Sequence, residues 1–371
     1  MRYGLAFLLM LAAGGACLNA ADLEPQIAAI LQVDHEAKNY VAAQSALTEL
    51  QTQGDSALIP ILDAMKDANP LASNYLRNAF EVIANRAEAN KTLPLADLLT
   101  FVKDRSQRDI ARRLAFEWIR KLDDTQAQKL VPGFLDDPSD ELRREAVAKL
   151  LDEALPLADE GDQAAKKREL LEQAMRGATD DDQVKKIVKG LEAFDVKVDL
   201  QHHYGFLNTW HMIGPFDNKE ELGFNVVYPP ELGIHLDMTY TGQLGTVGWQ
   251  EYQTDDQYGV LDIAKQLAPH KGAVVYAYTE FNAGADQGIE FRLATPNAWK
   301  LWVNDKLVFE REEYHRGTFF DQYRIPTELK AGKNTILLKI LQNEQDQSWA
   351  QDWKFQFRVC QPTGMALHPA K

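Results

Sequence analysis

Lys300-Leu-Trp-Val-Asn-Asp-Lys-Leu-Val308 and Leu329-Lys-Ala-Gly-Lys-Asn-Thr-Ile-Leu-Leu-Lys-Ile340 decide the class of the second half of this chain. Trp299, Leu301 and Val303 share one face at a period of two, as do Ile336, Leu338 and Ile340. That period belongs to half-buried strands. Asn304-Asp305 is a two-residue turn of residues that tolerate left-handed backbone, and Gly332 supplies a positive φ before the second strand. The same alternation runs through Ile289, Phe291 and Leu293 upstream and Phe355, Phe357 and Val359 downstream. Glu344-Gln345-Asp346-Gln347 marks a further turn. Short strands with no interleaved helices predict an antiparallel β-sandwich.

These stretches, with Trp353-Lys-Phe-Gln-Phe-Arg-Val359, resemble the jelly roll of galactose-binding-like domains over about residues 270–360. That family includes sugar-binding modules attached to glycosidases and many carbohydrate-binding modules. Its W-x-N-G-x-x-V hairpin is kept here, except that Asp305 replaces Gly. Both shared motifs specify fold, and neither is a ligand site. Upstream, Trp210-His-Met-Ile-Gly-Pro-Phe-Asp-Asn218 and Gly223-Phe-Asn-Val-Val-Tyr-Pro-Pro-Glu231 resemble the entry strand of such domains in exported bacterial proteins.

The composition changes near Val196. Of 35 aromatic residues 25 lie beyond it, which separates an aromatic β-rich part from an Ala-, Leu- and charge-rich part before it. In the earlier part apolar residues recur at helical spacing, as in Leu58, Ile61, Leu62 and Met65, or Leu95, Leu98, Leu99 and Val102. Three segments look alike: Arg77–Ile83, Arg113–Ile119 and Arg144–Leu150. Their spacing predicts helix pairs of roughly 30–40 residues. The copy from Leu130 to Leu151 resembles a HEAT repeat. The resemblance implies close helix packing at the small Ala and a bridge between units from Asp137 and Arg144. The expected fold is therefore multidomain α + β, a HEAT-like α-helical solenoid over 22–195 followed by an antiparallel β-sandwich of jelly-roll type over 196–371.

Residues 1–21 read as a secretory signal peptide: Arg2, a short apolar run and small residues after it. The run is too short to span a bilayer as a helix. Gly15-Ala16-Cys17 resembles the end of a lipobox, so a lipid anchor at Cys17 is the alternative to cleavage after Ala20 or Ala21. The expected location is periplasmic or extracellular, with an outer-membrane lipoprotein as the alternative. Both halves are acidic within a net charge of −15, which argues against nucleic acid. Two cysteines, Cys17 and Cys360, provide no disulfide framework.

No phosphate loop, Rossmann fingerprint, HExxH or GxSxG is present. His202, His203 and His211 raise a metal cluster, but 202 and 203 face opposite ways on an extended segment. No cofactor is expected, with a structural calcium ion at Asp217, Asn218 and Glu220 left open by their oxygen chemistry. Glu310, Glu312 and Glu313 are the carboxylates of a charged loop, against the paired, rigid geometry that glycosidases need. A pyranose face stacks on an aromatic ring, which singles out Trp302, Tyr314, His315, Trp349 and Trp353 as glycan-stacking residues. The expected function is that of an exported non-catalytic binding or scaffold protein of the cell envelope. Its helical surface would contact protein and its β domain a polysaccharide or an envelope protein. The alternative is a carbohydrate-active enzyme, or its accessory subunit, with carboxylates at the domain interface.

Overall fold

A computed structural model describes residues 23–370. The signal-peptide and Cys17 readings lie outside the described residues. The chain divides into two compact units, Met1–Ala146 and Val147–Lys371. The division falls inside a helix, well before the composition change near 196. Two helices grouped with the repeat by sequence thus belong to the second unit.

The described part of the first unit is helical. It comprises α1 (Glu24–Leu31), α2 (Tyr40–Gln51), α3 (Leu58–Ala64), α4 (Pro70–Asn90), α5 (Leu95–Lys103), α6 (Asp109–Leu122), α7 (Asp124–Leu130) and the start of α8 (Asp140–Ala154). Asn69 caps α4, its side chain accepting from Ala72 N, and Pro70 takes the first helical position, where no donor is lost. The helical stripes meet in one cluster that includes Leu58, Ile61, Leu62, Leu76, Phe80, Leu98, Val102 and Leu114. Ala79, Ala115 and Ala146, the matching small residues of the three similar segments, are all buried. Ion pairs join successive long helices: Arg77 to Glu117 at 3.3 Å and Arg113 to Glu145 at 2.7 Å.

Asp137 does bridge to an earlier helix, its partner being Arg112 of α6. Its two oxygens accept from Arg112 Nη1 and Nη2, each at 2.7 Å, while Arg112 Nε donates to Val102 O. Both side chains are 1% exposed. An in-plane fork matches a carboxylate, so a buried Arg here satisfies three donors at once.

The second unit continues with α9 (Ala164–Gly177), α10 (Asp181–Glu192) and the five-residue α11 (Leu200–Tyr204). Strands β1 (Thr209–Asp217), β2 (Thr239–Gly242), β3 (Gly245–Gly248), β4 (Gln250–Gln253) and β5 (Leu261–Asp262) follow, then the short α12 (Ile263–Gln266). The remaining strands are β6 (Ala273–Ala283), β7 (Gln287–Ala294), β8 (Ala298–Val303), β9 (Lys306–Arg311), β10 (Tyr323–Leu329), β11 (Gly332–Gln342) and β12 (Lys354–Cys360). A six-stranded sheet runs β4-β1-β6-β11-β8-β9 and a four-stranded sheet β10-β7-β12-β5, with β2-β3 a separate pair. The pairings of the two larger sheets are antiparallel.

The alternating residues behave as their period demands. Trp299, Leu301, Val303, Ile336, Leu338 and Ile340 from the larger sheet share one cluster with Ile289, Phe291, Leu293, Phe355, Phe357 and Val359 from the smaller. Asn304 and Asp305 both take left-handed φ, 50° and 64°, so Asp stands in the Gly place of the hairpin without leaving turn geometry. Asn334 then ties the β11 turn, accepting from Lys330 N and donating to Lys330 O and Gly332 O.

The six-stranded sheet is apolar on its other face as well. Ile213, Phe216, Val274, Tyr276, Leu337 and Leu341 form a second cluster, covered by Phe224, Tyr228, Tyr240 and Trp249 from the segment between β1 and β4. Lys339 fastens this cover. Its ammonium is buried on β11 and donates to Phe224 O, Val226 O and Glu231 Oε1 at 3.2, 2.7 and 2.9 Å. Tyr276 donates its hydroxyl hydrogen to the same Glu231 oxygen. Three acceptors for three protons make this lysine a clamp with no proton left to give.

Candidate functional site

The five aromatic residues named by sequence divide. Trp353 is 1% exposed inside the inter-sheet cluster, so no sugar reaches its face; its alternation with Phe355 and Phe357 puts it in the core. Trp302 does point away from Leu301, but to the second face of the sheet, where it lies half-buried against the second cluster beside Leu337.

Tyr314, His315 and Trp349 come together at the loops that follow β9 and β11. Tyr314 Oη accepts from Asn218 Nδ2 at 3.1 Å, and burial pushes its phenol up to about 12. His315 Nε2 lies 2.6 Å from Asn343 Oδ1. Trp349 stands edge-on to the His315 ring, 5.3 Å between centroids at 87°, and is 62% exposed. It is a large indole held on one side by a fixed imidazole and open on the other.

Asn343 is the hub of this arrangement. It is buried, donates from Nδ2 to Glu221 Oε1 and Gln345 Oε1, and accepts Gln345 N at Oδ1. Around it lies an open depression of about 630 Å³ lined by Glu220, Glu221 and residues 343–347. Glu220 and Glu221 both hold left-handed backbone, φ 56° and 60°, and Glu220 N donates to Glu344 Oε2. Two successive non-glycine residues in that region cost of order 1–3 kcal/mol each, so surrounding contacts must impose the turn. Asn218, buried below, donates to Gln342 O and links this turn to the end of β11.

Sequence reasoning missed Asn218 and Asn343 as the residues that organise the loops. The available signal was two amides placed directly after the ends of core strands, where an unpaired polar side chain must satisfy chain ends.

The other candidates resolve as follows. Asp217 Oδ1 accepts from Lys219 N, and Asn218 turns its amide toward Tyr314. Among the described residues no group of three or more His, Cys, Asp or Glu stands where one metal ion could be held. His202 and His203 lie on α11, a short helix, where an extended segment was expected; Asp199 caps it by accepting from His202 N. His211 sits apart beside Glu251. Glu310 pairs with Lys300 at 2.7 Å, and Glu313 with Arg311 and Arg316. Arg311 first, then Arg316, holds the Glu313 carboxyl below its ordinary range.

The helical unit has its own groove of about 630 Å³, lined by Ile59, Pro94 and Phe101 with Asp55, Asp63 and Asp97 around them. Burial, with Asp104 nearby, raises the Asp63 carboxyl above its ordinary value against a hydrogen bond from Gln107. Among the described residues no helix is long and apolar enough to cross a membrane.

The class defined so far is a protein of helices followed by antiparallel sheets. No family model matches the chain, and no curated protein matches it. Solved structures similar to parts of it include a Kluyveromyces marxianus β-glucosidase in complex with glucose, at 17% identity over 24% of this chain and 11% of that one, TM-score 0.20. The selenomethionine-labelled form of a β-glucosidase from the same yeast gives 13% identity over 41% of this chain and 16% of that one, TM-score 0.25. A Paenibacillus sp. cycloisomaltooligosaccharide glucanotransferase complexed with cycloisomaltoheptaose gives 14% over 48% and 22%, TM-score 0.18. The chain spans less than a quarter of the length of each of these proteins.

Proposed function

We propose that this is an exported, non-catalytic binding protein of the cell envelope, with a HEAT-like helical repeat for protein contacts and a galactose-binding-like jelly roll that binds glycan. The observation that carries the reading is the Trp349 indole, exposed on one face and braced by His315, beside a depression rich in carboxylates and carboxamides. An apolar ring face beside convergent hydrogen-bonding groups suits a pyranose, whose C–H face stacks while its hydroxyls bond. Within the helical unit, a groove lined by Ile59, Pro94 and Phe101 among acidic and polar residues supports the protein-contact half of the reading. Export rests on residues 1–21; a mature chain beginning at Cys17, against one beginning at Ala21 or Asp22, separates a lipoprotein from a cleaved soluble product by mass spectrometry.

A glycan array on the full chain, followed by titration of any hit, tests the glycan half. Trp349→Ala removes the platform, and its expected effect is loss of binding by at least tenfold. Trp302→Phe, in the covered face, leaves binding unchanged. An array with no hit, or a hit indifferent to Trp349→Ala, removes this reading.

A further inference from the structure

Three histidines meet around α11, tying it to two different parts of the second unit. His203 is half-buried, with Nε2 2.9 Å from Ala178 O in the connection between α9 and α10. His202, one residue earlier, stacks its ring on His368 of the C-terminal segment, 4.1 Å apart and 12° from parallel. Parallel rings aim their nitrogen lone pairs side by side, which suits contact and not chelation. The C-terminal segment otherwise docks by Leu367 N to Val359 O and by Ala370 with Asn282.

The charges facing this trio are of both signs. Arg358 on β12 donates to Tyr204 O of α11 and is itself paired with Asp321. On the α10 side Asp181 is engaged by the Tyr204 and Tyr258 hydroxyls and by Lys185. Asp199 is committed to the cap of α11. Burial holds the His203 imidazole below its ordinary value, against the Ala178 bond, with Arg358, His202 and His368 adding to the effect. His368 is lowered by burial and then by His202.

We propose that His203 and His368, the latter stacked on the His202 ring, make α11 an acid-sensitive clasp, which in mild acid releases the α9–α10 pair and the C-terminal segment from the sheets. A neutral His368 stacks on the His202 ring, and a neutral His203 sits beside Arg358. Protonation of His203 adds a like charge beside Arg358, and protonation of His368 puts a cation against the His202 ring. Imidazole is the side chain that titrates in this range. The sign follows from the lowered values: stability of the clasp is present above the ordinary histidine pKa and is lost as pH falls through the lowered one.

Native-state hydrogen exchange on the full chain tests this, comparing residues 178–192 and 363–370 between about pH 7.5 and 5 after correction for intrinsic rates. Below the ordinary histidine pKa, opening should rise by up to about tenfold per pH unit for each proton taken up. His203→Gln keeps a donor for Ala178 O without titrating, and should flatten the response over 178–192. His202→Phe with His368→Phe keeps the stacked pair and should flatten it over 363–370. The slope against pH is read, so a uniform loss of stability in a variant does not mimic the result. No local response in the wild type, or slopes unchanged in both variants, overturns the proposal.

Discussion

Removing the Asp137 carboxylate should unfold the helical unit more readily than any single surface change. In Asp137→Ala the Arg112 guanidinium keeps Val102 O as a partner and loses both fork bonds, at a site 1% exposed where water cannot replace them. Ser139 N loses its acceptor too. Breaking one side of a buried pair costs about 3–5 kcal/mol, because the surviving charge is left uncompensated. Replacing both partners by apolar residues avoids that cost. Arg112→Met with Asp137→Leu should lose only about 1–2 kcal/mol, most of it the unpaired Ser139 N. The assay is hydrogen exchange in rising urea, read by mass spectrometry on peptides covering 95–122, which reports this unit separately from the sheets. A single-variant cost under about 1 kcal/mol, or a double variant as damaging as the single, would refute the reasoning.

Three further outcomes are expected. Gly205 holds φ +73° with an added Cβ only 2.8 Å from Val359 O, so Gly205→Ala should cost about 1–3 kcal/mol and lower the Tm of the second unit. Burial acts to raise the Asp321 carboxyl, but Arg358 and Arg292 outweigh it and hold it below its ordinary value. Its contribution is therefore present above that value and lost in stronger acid; Asp321→Asn should be less stable at neutral pH and show a shallower acid limb in denaturant titrations. Lys339→Met takes the ammonium from Glu231 and strands two carbonyls, and should speed proteolytic cleavage within 219–242 severalfold at native pH. Cleavage first elsewhere would show that the cover is held by its apolar contacts.

The strands and their turns were legible because their signals are local. A period of two fixes which side of a strand is apolar, and Asn304-Asp305 needs only its own backbone to turn. Helical spacing in 24–130 was equally plain. Trp353 and Trp302 show where such reading stops. Alternation separates two faces of a strand, but whether a face meets a sheet, a cover segment or water depends on residues far away. Phe224 and Tyr228 come from more than seventy positions upstream of Trp302.

By itself, then, the sequence determined the order of helical and β-rich parts, the inward faces of the strands and the turns between them, since each follows from neighbours a few residues apart. Tertiary structure alone decided that Asp137 answers Arg112, that Lys339 serves as a clamp, and that His315 and Trp349 meet over Asn343. Those pairings join residues from 25 to more than a hundred positions apart, or depend on how a loop is braced. Charge and hydrogen bonding act through space at a few ångströms, and no spacing along the chain encodes that distance.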